Sequence, residues 1–250
     1  MTALSINLNK ISLLRNSREG NYPNIVKHAE VCIEHGADGI TVHPRPDQRH
    51  IRPKDVRDLA ELVRPQPNLE FNVEGNPFAP ALADYPGFLE LVEETNPDQC
   101  TLVPDTDSQL TSDHGFDLHS SGEALYPIIQ RLKNQGMRVS LFMDPDLEQI
   151  DLAAKVGADR IELYTGPYAA SWGTDSLETI FQHHLKAAQL ATSLGMGVNA
   201  GHDLNLDNLA KFSSIPNLLE VSIGHAFFVD SLSMGMASTL QAYKKLLSQN

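Results

Sequence analysis

The chain has 250 residues, 41% of them apolar and 20% charged, with a formal net charge of −13. That suits one barrel-sized globular domain over residues 1–250 and excludes a disordered chain. The acidic balance also argues against nucleic acid and anionic membrane as partners, while a local basic cluster could still hold a small anion.

Short β-branched or aromatic runs alternate with helical periodicity along the whole chain. Strands are expected at 5–11, 39–43, 69–75, 99–104, 137–144, 160–166, 196–201 and 218–224. Helices are expected near 23–35, 53–64, 85–95, 121–135, 146–156, 175–194, 205–213 and 226–248. Eight βα units imply a parallel sheet closed into an α/β (β/α)8 TIM barrel. No GxGxxG follows the first strand, so a dinucleotide fold has no support. Gly36, Gly157 and Gly195 each end a helix before a strand, where a left-handed residue is wanted. The Pro-rich stretch 75–86 reads as a loop insertion. Cys32 and Cys100 fall in apolar patterns and read as buried thiols of a reducing cytoplasm. MTALSINLNK has no signal-peptide pattern, and no apolar run reaches the ~20 residues needed to span a bilayer.

In this fold the site forms at the carboxyl ends of the strands. Polar residues gather there: Asn7, Asn9 and Lys10 on strand one, His43 on strand two, Asn72 and Glu74 on strand three. Asp105, Asp107 and Thr111 follow strand four, Glu162 lies in strand six, and Asn199 and His202 mark strand seven. A polar side chain inside a barrel needs a partner or costs roughly 1–3 kcal/mol, so this concentration points to a site. Imidazoles at 43 and 202 and carboxylates at 74 and 162 suit proton transfer, with structural hydrogen bonds or ion pairs as the plainer alternative. Arg15, Arg18, Arg45, Arg49 and Arg52 cluster in the first two βα loops and suggest an anion, unless they pair with acids such as Asp47 and Asp55. A second anion site is expected where Gly224-His225 opens the last helix, whose free N–H groups favour phosphate. The mid-helix pair His183-His184 reads as a solvated face.

These residues resemble the pyridoxine 5′-phosphate synthase family through NLNKISLLRNSR (7–18), GADGITVHPRPDQRHI (36–51), FNVEG (71–75), TLVPD…T (101–111), GADRIELYTGPYA (157–169), LGMGVNAGHDL (194–204) and EVSIGHA (220–226). The resemblance runs from first strand to last. It implies a transferase-class ring-closing enzyme that condenses 3-amino-2-oxopropyl phosphate with 1-deoxy-D-xylulose 5-phosphate, giving pyridoxine 5′-phosphate, phosphate and water. It implies no metal or organic cofactor, two phosphorylated substrates and a homo-oligomer. By the same resemblance His43 and Glu74 are proton acceptors, His202 is a proton donor and Glu162 stabilises transition-state charge. Asn7, Arg18, Asp203, Gly224 and His225 match positions binding the amino-ketone phosphate. Asn9, Lys10, Arg45, His50 and Thr111 match positions binding the deoxyxylulose phosphate.

Asn9-Lys10 stands where most of the family has Asp-His; a lysine holds charge and cannot relay protons near neutrality, so Lys10 is expected to hold phosphate. NLE (68–70) and NVE (72–74) both fit the family's Asn-x-Glu signature, and Glu70 shares strand parity with Glu74. Two other readings stand beside this one: a metal-dependent barrel isomerase or hydrolase using His43, Glu74, Glu162 and His202 as ligands, and a non-catalytic binder of phosphorylated ligands.

Overall fold

A computed structural model describes residues 1–106 and 108–248. Asp107, assigned to the strand-four rim from sequence, lies outside the described residues. The strands β1 (Ala3–Asn7), β2 (Gly39–Val42), β3 (Glu70–Gly75), β4 (Gln99–Leu102), β5 (Arg138–Met143), β6 (Arg160–Tyr164), β7 (Gly197–Gly201) and β8 (Leu218–Ile223) close in sequence order into a parallel barrel. β1 pairs with β8 through Leu4↔Val221 and Ser5↔Ser222, which completes the ring.

The outer ring comprises α1 (Asn9–Asn16), α2 (Ile25–Glu34), α3 (Pro53–Val63), α4 (Phe88–Thr95), α5 (Leu118–Asn134) and α6 (Leu147–Lys155). It continues with α7 (Gly166–Ala170), α8 (Leu177–Ser193), α9 (Leu209–Phe212), α10 (His225–Met234) and α11 (Met236–Leu247). None of the described helices is long and apolar enough to cross a membrane. The φ angles of Gly36, Gly157 and Gly195 are +97°, +88° and +85°, so each takes the left-handed turn that reverses a helix into the next strand. Cys32 and Cys100 are buried and unpaired with each other.

Four expectations need correction. The first strand stops at Asn7 rather than continuing to residue 11, because the Asn7 side chain accepts the Asn9 N–H and starts α1 there. Lys10 is therefore a first-turn helical residue. The last helix breaks in two at Gly235, whose φ is +76°. A short α7, opened by Gly166-Pro167, intervenes before α8. His184 is fully buried, with Nδ1 2.9 Å from the Ile180 carbonyl and Nε2 3.0 Å from the Tyr164 carbonyl, so only His183 of that pair escapes the core.

The core lies between sheet and helices. One parity of the strands, including Leu4, Ile40, Val73, Leu141, Leu163 and Val221, is wholly buried against the helix ring. The opposite parity fills the barrel interior, and it is polar where such barrels ordinarily use Val, Ile and Leu. Several of its side chains hydrogen-bond one another across the lumen. Asn199 Nδ2 donates to Gln99 Oε1 at 3.3 Å and to Glu220 Oε2 at 3.1 Å. Arg160 Nη1 reaches Asn199 Oδ1 at 3.0 Å and Glu220 Oε2 at 3.3 Å, while Arg138 pairs with Glu70. Asn199 and Asn72, placed at the rim from sequence, belong to this interior; Thr101 donates to Asn72 at 3.0 Å.

Candidate active site

At the carboxyl ends of the strands a cavity of about 330 Å³ opens toward solvent. The end of β3 brings Glu74 to it, β6 brings Glu162, the residue after β2 brings His43, and the residue after β7 brings His202. The amino end of α1 contributes Asn9 and Lys10, next to Asn7 from β1. Arg45 and His50 come from the β2–α3 loop and Thr111 from the β4–α5 loop. Asp203 follows β7, and Gly224 and His225 sit where β8 passes into α10.

Of the fourteen residues to which the resemblance gives catalytic or substrate-binding roles, Arg18 alone stays away from this cavity. It lies exposed beyond α1 and donates to the Ser17 carbonyl at 2.8 Å, because the turn into α1 carries it away from the strand ends. The early arginine cluster is also largely structural. Arg15 is buried in a two-pronged pair with Asp55 at 2.6 and 2.9 Å, and Arg49 pairs with Asp47 at 2.7 Å.

The two Asn-x-Glu candidates separate by depth. Glu70 sits at the amino end of β3 beside Arg138, at the far end of the barrel from the cavity. Glu74 is 8% exposed, accepts from Asn7 Nδ2 at 3.3 Å and Asn72 Nδ2 at 3.4 Å, and lies 3.8 Å from His43 Nδ1. Burial pushes the Glu74 carboxyl well above the usual carboxylate range, and Glu162, Glu220 and Asp105 add to the effect. Burial likewise raises Glu162 to about 7. Glu162 fits only because β7 has a glycine beside it: a Cβ on Gly201 would lie 2.1 Å from Glu162 Oε1.

His43 is held from several sides. Its backbone N–H donates to Asn9 Oδ1 at 3.0 Å, so Asn9 shapes the site as well as lining it. Its Nε2 lies 3.1 Å from Asp105 Oδ2, which also pairs with Arg45. Burial alone would raise Asp105, but His43, Arg45 and Ser112 outweigh it and keep the carboxyl below its ordinary value. Neighbouring His50 is driven down to about 3, first by burial and then by His43, Arg45, Arg49 and Lys10, so it is a neutral ring.

His202 is fixed in a strained turn. Its φ is +89° and that of Asp203 is +58°, two successive non-glycine residues in left-handed territory. The buried Thr165 hydroxyl donates to the Gly201 carbonyl at 2.7 Å and also approaches the His202 carbonyl, which clamps the turn. The ring is positioned by Thr111 Oγ1 2.9 Å from Nε2, Asp203 Oδ2 3.0 Å from Nδ1 and the edge of Tyr164. The hydrogen bond from His202 holds Asp203 below the usual carboxylate range, despite some burial.

Asp105, Thr165, Tyr164, Phe142 and Gly201 are the parts of the site that the sequence reading left without a role. Phe142 continues the Arg138, Ser140 inward parity of β5, a signal available in the sequence. Tyr164 and Gly201 share the same inward parity with Glu162 and Asn199, while Thr165 and Asp105 act through contacts with residues of other strand ends. Among the described residues no cluster of three His, Cys, Asp or Glu side chains could hold a metal ion.

Fold and site together define a single-chain TIM barrel with acid–base groups and cationic groups around one mouth. Solved barrels share the fold at low identity. The tryptophan synthase alpha chain from Legionella pneumophila subsp. pneumophila superposes with TM-score 0.65 at 13% identity, covering 100% of this chain and 92% of that one. Phosphoribosyl anthranilate isomerase from Thermus thermophilus gives 0.59 at 14%, covering 99% of each. The sequence decides the family: residues 4–249 match the pyridoxal phosphate biosynthesis protein PdxJ family, and the chain belongs to it. A pyridoxine 5′-phosphate synthase of Xanthomonas axonopodis pv. citri (strain 306) is 52% identical over 247 residues, 98% of this chain and 96% of that protein. The Xylella fastidiosa (strain 9a5c) protein of the same name is 50% identical over 247 residues, 98% and 95% of the two chains.

Proposed function

We propose that residues 1–250 form one catalytic domain that makes pyridoxine 5′-phosphate from 3-amino-2-oxopropyl phosphate and 1-deoxy-D-xylulose 5-phosphate. Its relatives carry the name pyridoxine 5′-phosphate synthase. The observation that carries the reading at the site is the convergence of two imidazoles, His43 and His202, with two buried carboxyls free of guanidinium partners, Glu74 and Glu162, around one cavity.

The chemistry needs that set. An amine adds to a ketone and water leaves to give an imine. Carbon must then lose a proton, phosphate must be expelled, and ring closure releases a further water. Each step moves a proton, and groups whose pKa values are pushed toward neutrality move protons best. His43 and Glu74 accept protons and His202 donates one. Glu162 faces the charge that develops in the transition state. Lys10, Arg45, His50, Asn9 and Thr111 hold the deoxyxylulose phosphate, with Lys10 as the fixed charge. Asn7, Asp203, Gly224 and His225 hold the amino-ketone phosphate, assisted by the amino end of α10.

We further infer a cytoplasmic homo-oligomer. Leu13 and Leu14 on α1 and Val229, Leu232 and Met234 on α10 expose apolar side chains from two helices that pack together. Sedimentation velocity tests this, and a single monomer peak overturns it. The function is tested by incubating the chain with both substrates and assaying pyridoxine 5′-phosphate, with and without chelator. Turnover untouched by chelator is expected. Loss on chelation favours a metal-dependent barrel, and ligand binding without turnover favours a binding protein.

A further inference from the structure

His43 and Arg45 line two cavities. One is the main cavity with Glu74 and Glu162. The other is a smaller one of about 210 Å³, bounded by Asp105, Asn76, Phe78 and the prolines at 44, 46 and 80. The imidazole presents Nδ1 toward Glu74 Oε2, 3.8 Å away, and Nε2 toward Asp105 Oδ2, 3.1 Å away. A neutral imidazole has one N–H, and the partner of one nitrogen decides the state of the other.

We propose that Asp105 is a positioning residue that fixes His43 as the Nε2–H tautomer, leaving the Nδ1 lone pair on the main cavity as the base. The inference deepens, and rests on, the reading of His43 as a proton acceptor. Asp105 is 5% exposed and collects three groups on one oxygen: the Arg45 guanidinium, His43 Nε2, and the Ser112 hydroxyl at 3.3 Å. An oxygen so placed is an ionised acceptor, and a ring lone pair facing it is repelled. The approach is oblique to the ring N–H, so charge more than hydrogen-bond geometry sets the preference. Opposite it, Glu74 Oε2 stands 3.8 Å from Nδ1, beyond hydrogen-bond reach, and so competes weakly for the ring proton. The remaining neighbours reinforce the assignment. His50, 6.2 Å away ring to ring, is neutral, and Asn9 engages only the His43 backbone. Asp105 itself is anchored, since Asn76 Nδ2 donates to its carbonyl at 2.7 Å and Arg45 Nη1 donates to the Thr106 and Gln109 carbonyls at 3.1 and 3.0 Å.

The experiment is ¹⁵N-resolved NMR of the histidine rings in the full-length protein at mildly alkaline pH, with His43 assigned by loss of its signals in His43→Gln. The expected spectrum has a protonated Nε2 and an unprotonated Nδ1; the reverse pattern overturns the proposal. Asp105→Asn should lose the preference and lower kcat about 10- to 100-fold, with KM changed far less. An Asp105→Asn protein with the wild-type tautomer and kcat also overturns it. Full turnover in His43→Gln is a different failure: it removes His43 from the chemistry while leaving the tautomer as measured.

Discussion

Glu70 and Glu74 stand four residues apart on one strand with the same inward parity, yet the barrel treats them oppositely. At the closed end Glu70 meets Arg138, and Glu220 meets Arg160, in a network that also ties in Asn199 and Gln99. At the open end Glu74 meets two amides and an imidazole, and no guanidinium. The residue types match at the two ends; the supply of fixed positive charge does not. Glu70, paired with Arg138, is spent on holding strands together, while its neighbour Glu220 is pushed well above the usual carboxylate range by burial, Glu70 and Glu162 in spite of Arg160. A carboxyl buried with amides keeps its proton at higher pH and is available for acid–base work.

The sharpest way to break this comparison is to neutralise the two acids separately. Glu74→Gln should lower kcat about 100- to 1,000-fold with the melting temperature nearly kept. Glu70→Gln should leave kcat within about threefold and lower stability by about 1 kcal/mol, since it removes the carboxylate partner of Arg138 and leaves it Gln99. Steady-state kinetics and thermal melts decide it, and the opposite pattern would exchange the roles of the two ends. Next in size, Arg160→Met should cost about 1 kcal/mol of stability by removing a donor shared by Glu220 and Asn199, while activity per folded molecule survives; urea melts measure this.

Glu162 tests the open end by pH. Its folded pKa is raised from 4.5 to about 7, so the folded state holds this proton more tightly than the unfolded chain does. The resulting stabilisation is full below pH 4.5 and lost as pH rises to about 7, amounting to about 3 kcal/mol. Glu162→Gln should abolish that component, seen as a flatter stability profile over this window. The smallest effect concerns the mouth. Lys10→Met should raise KM for the deoxyxylulose phosphate about tenfold with little change in kcat, as loss of one phosphate contact does. Unchanged Michaelis constants for both substrates would remove Lys10 from phosphate binding.

Much of this was legible in the chain. Alternating periodicities gave eight βα units, and helix-ending glycines placed the turns, because local backbone preferences write both into sequence. Polar residues at strand ends located the mouth, and thirteen of the fourteen positions given roles by the family resemblance line it, Arg18 being the exception. The start of α1 was missed because the Asn7 side chain, and not a proline or glycine, ends β1. The burial of His184 was missed because two backbone carbonyls from separate elements receive it.

The amino-acid sequence by itself determined the barrel, its open end, its family and the kinds of group the site contains. Only the tertiary structure decided which of these groups face one another. Asp55 takes Arg15 out of the anion cluster, Arg138 claims Glu70, and Asp105 lies against His43. Parity along a strand repeats every two residues and treats Glu70 and Glu74 alike. Depth in the barrel, and the charge met at each depth, come from strands far apart in the chain.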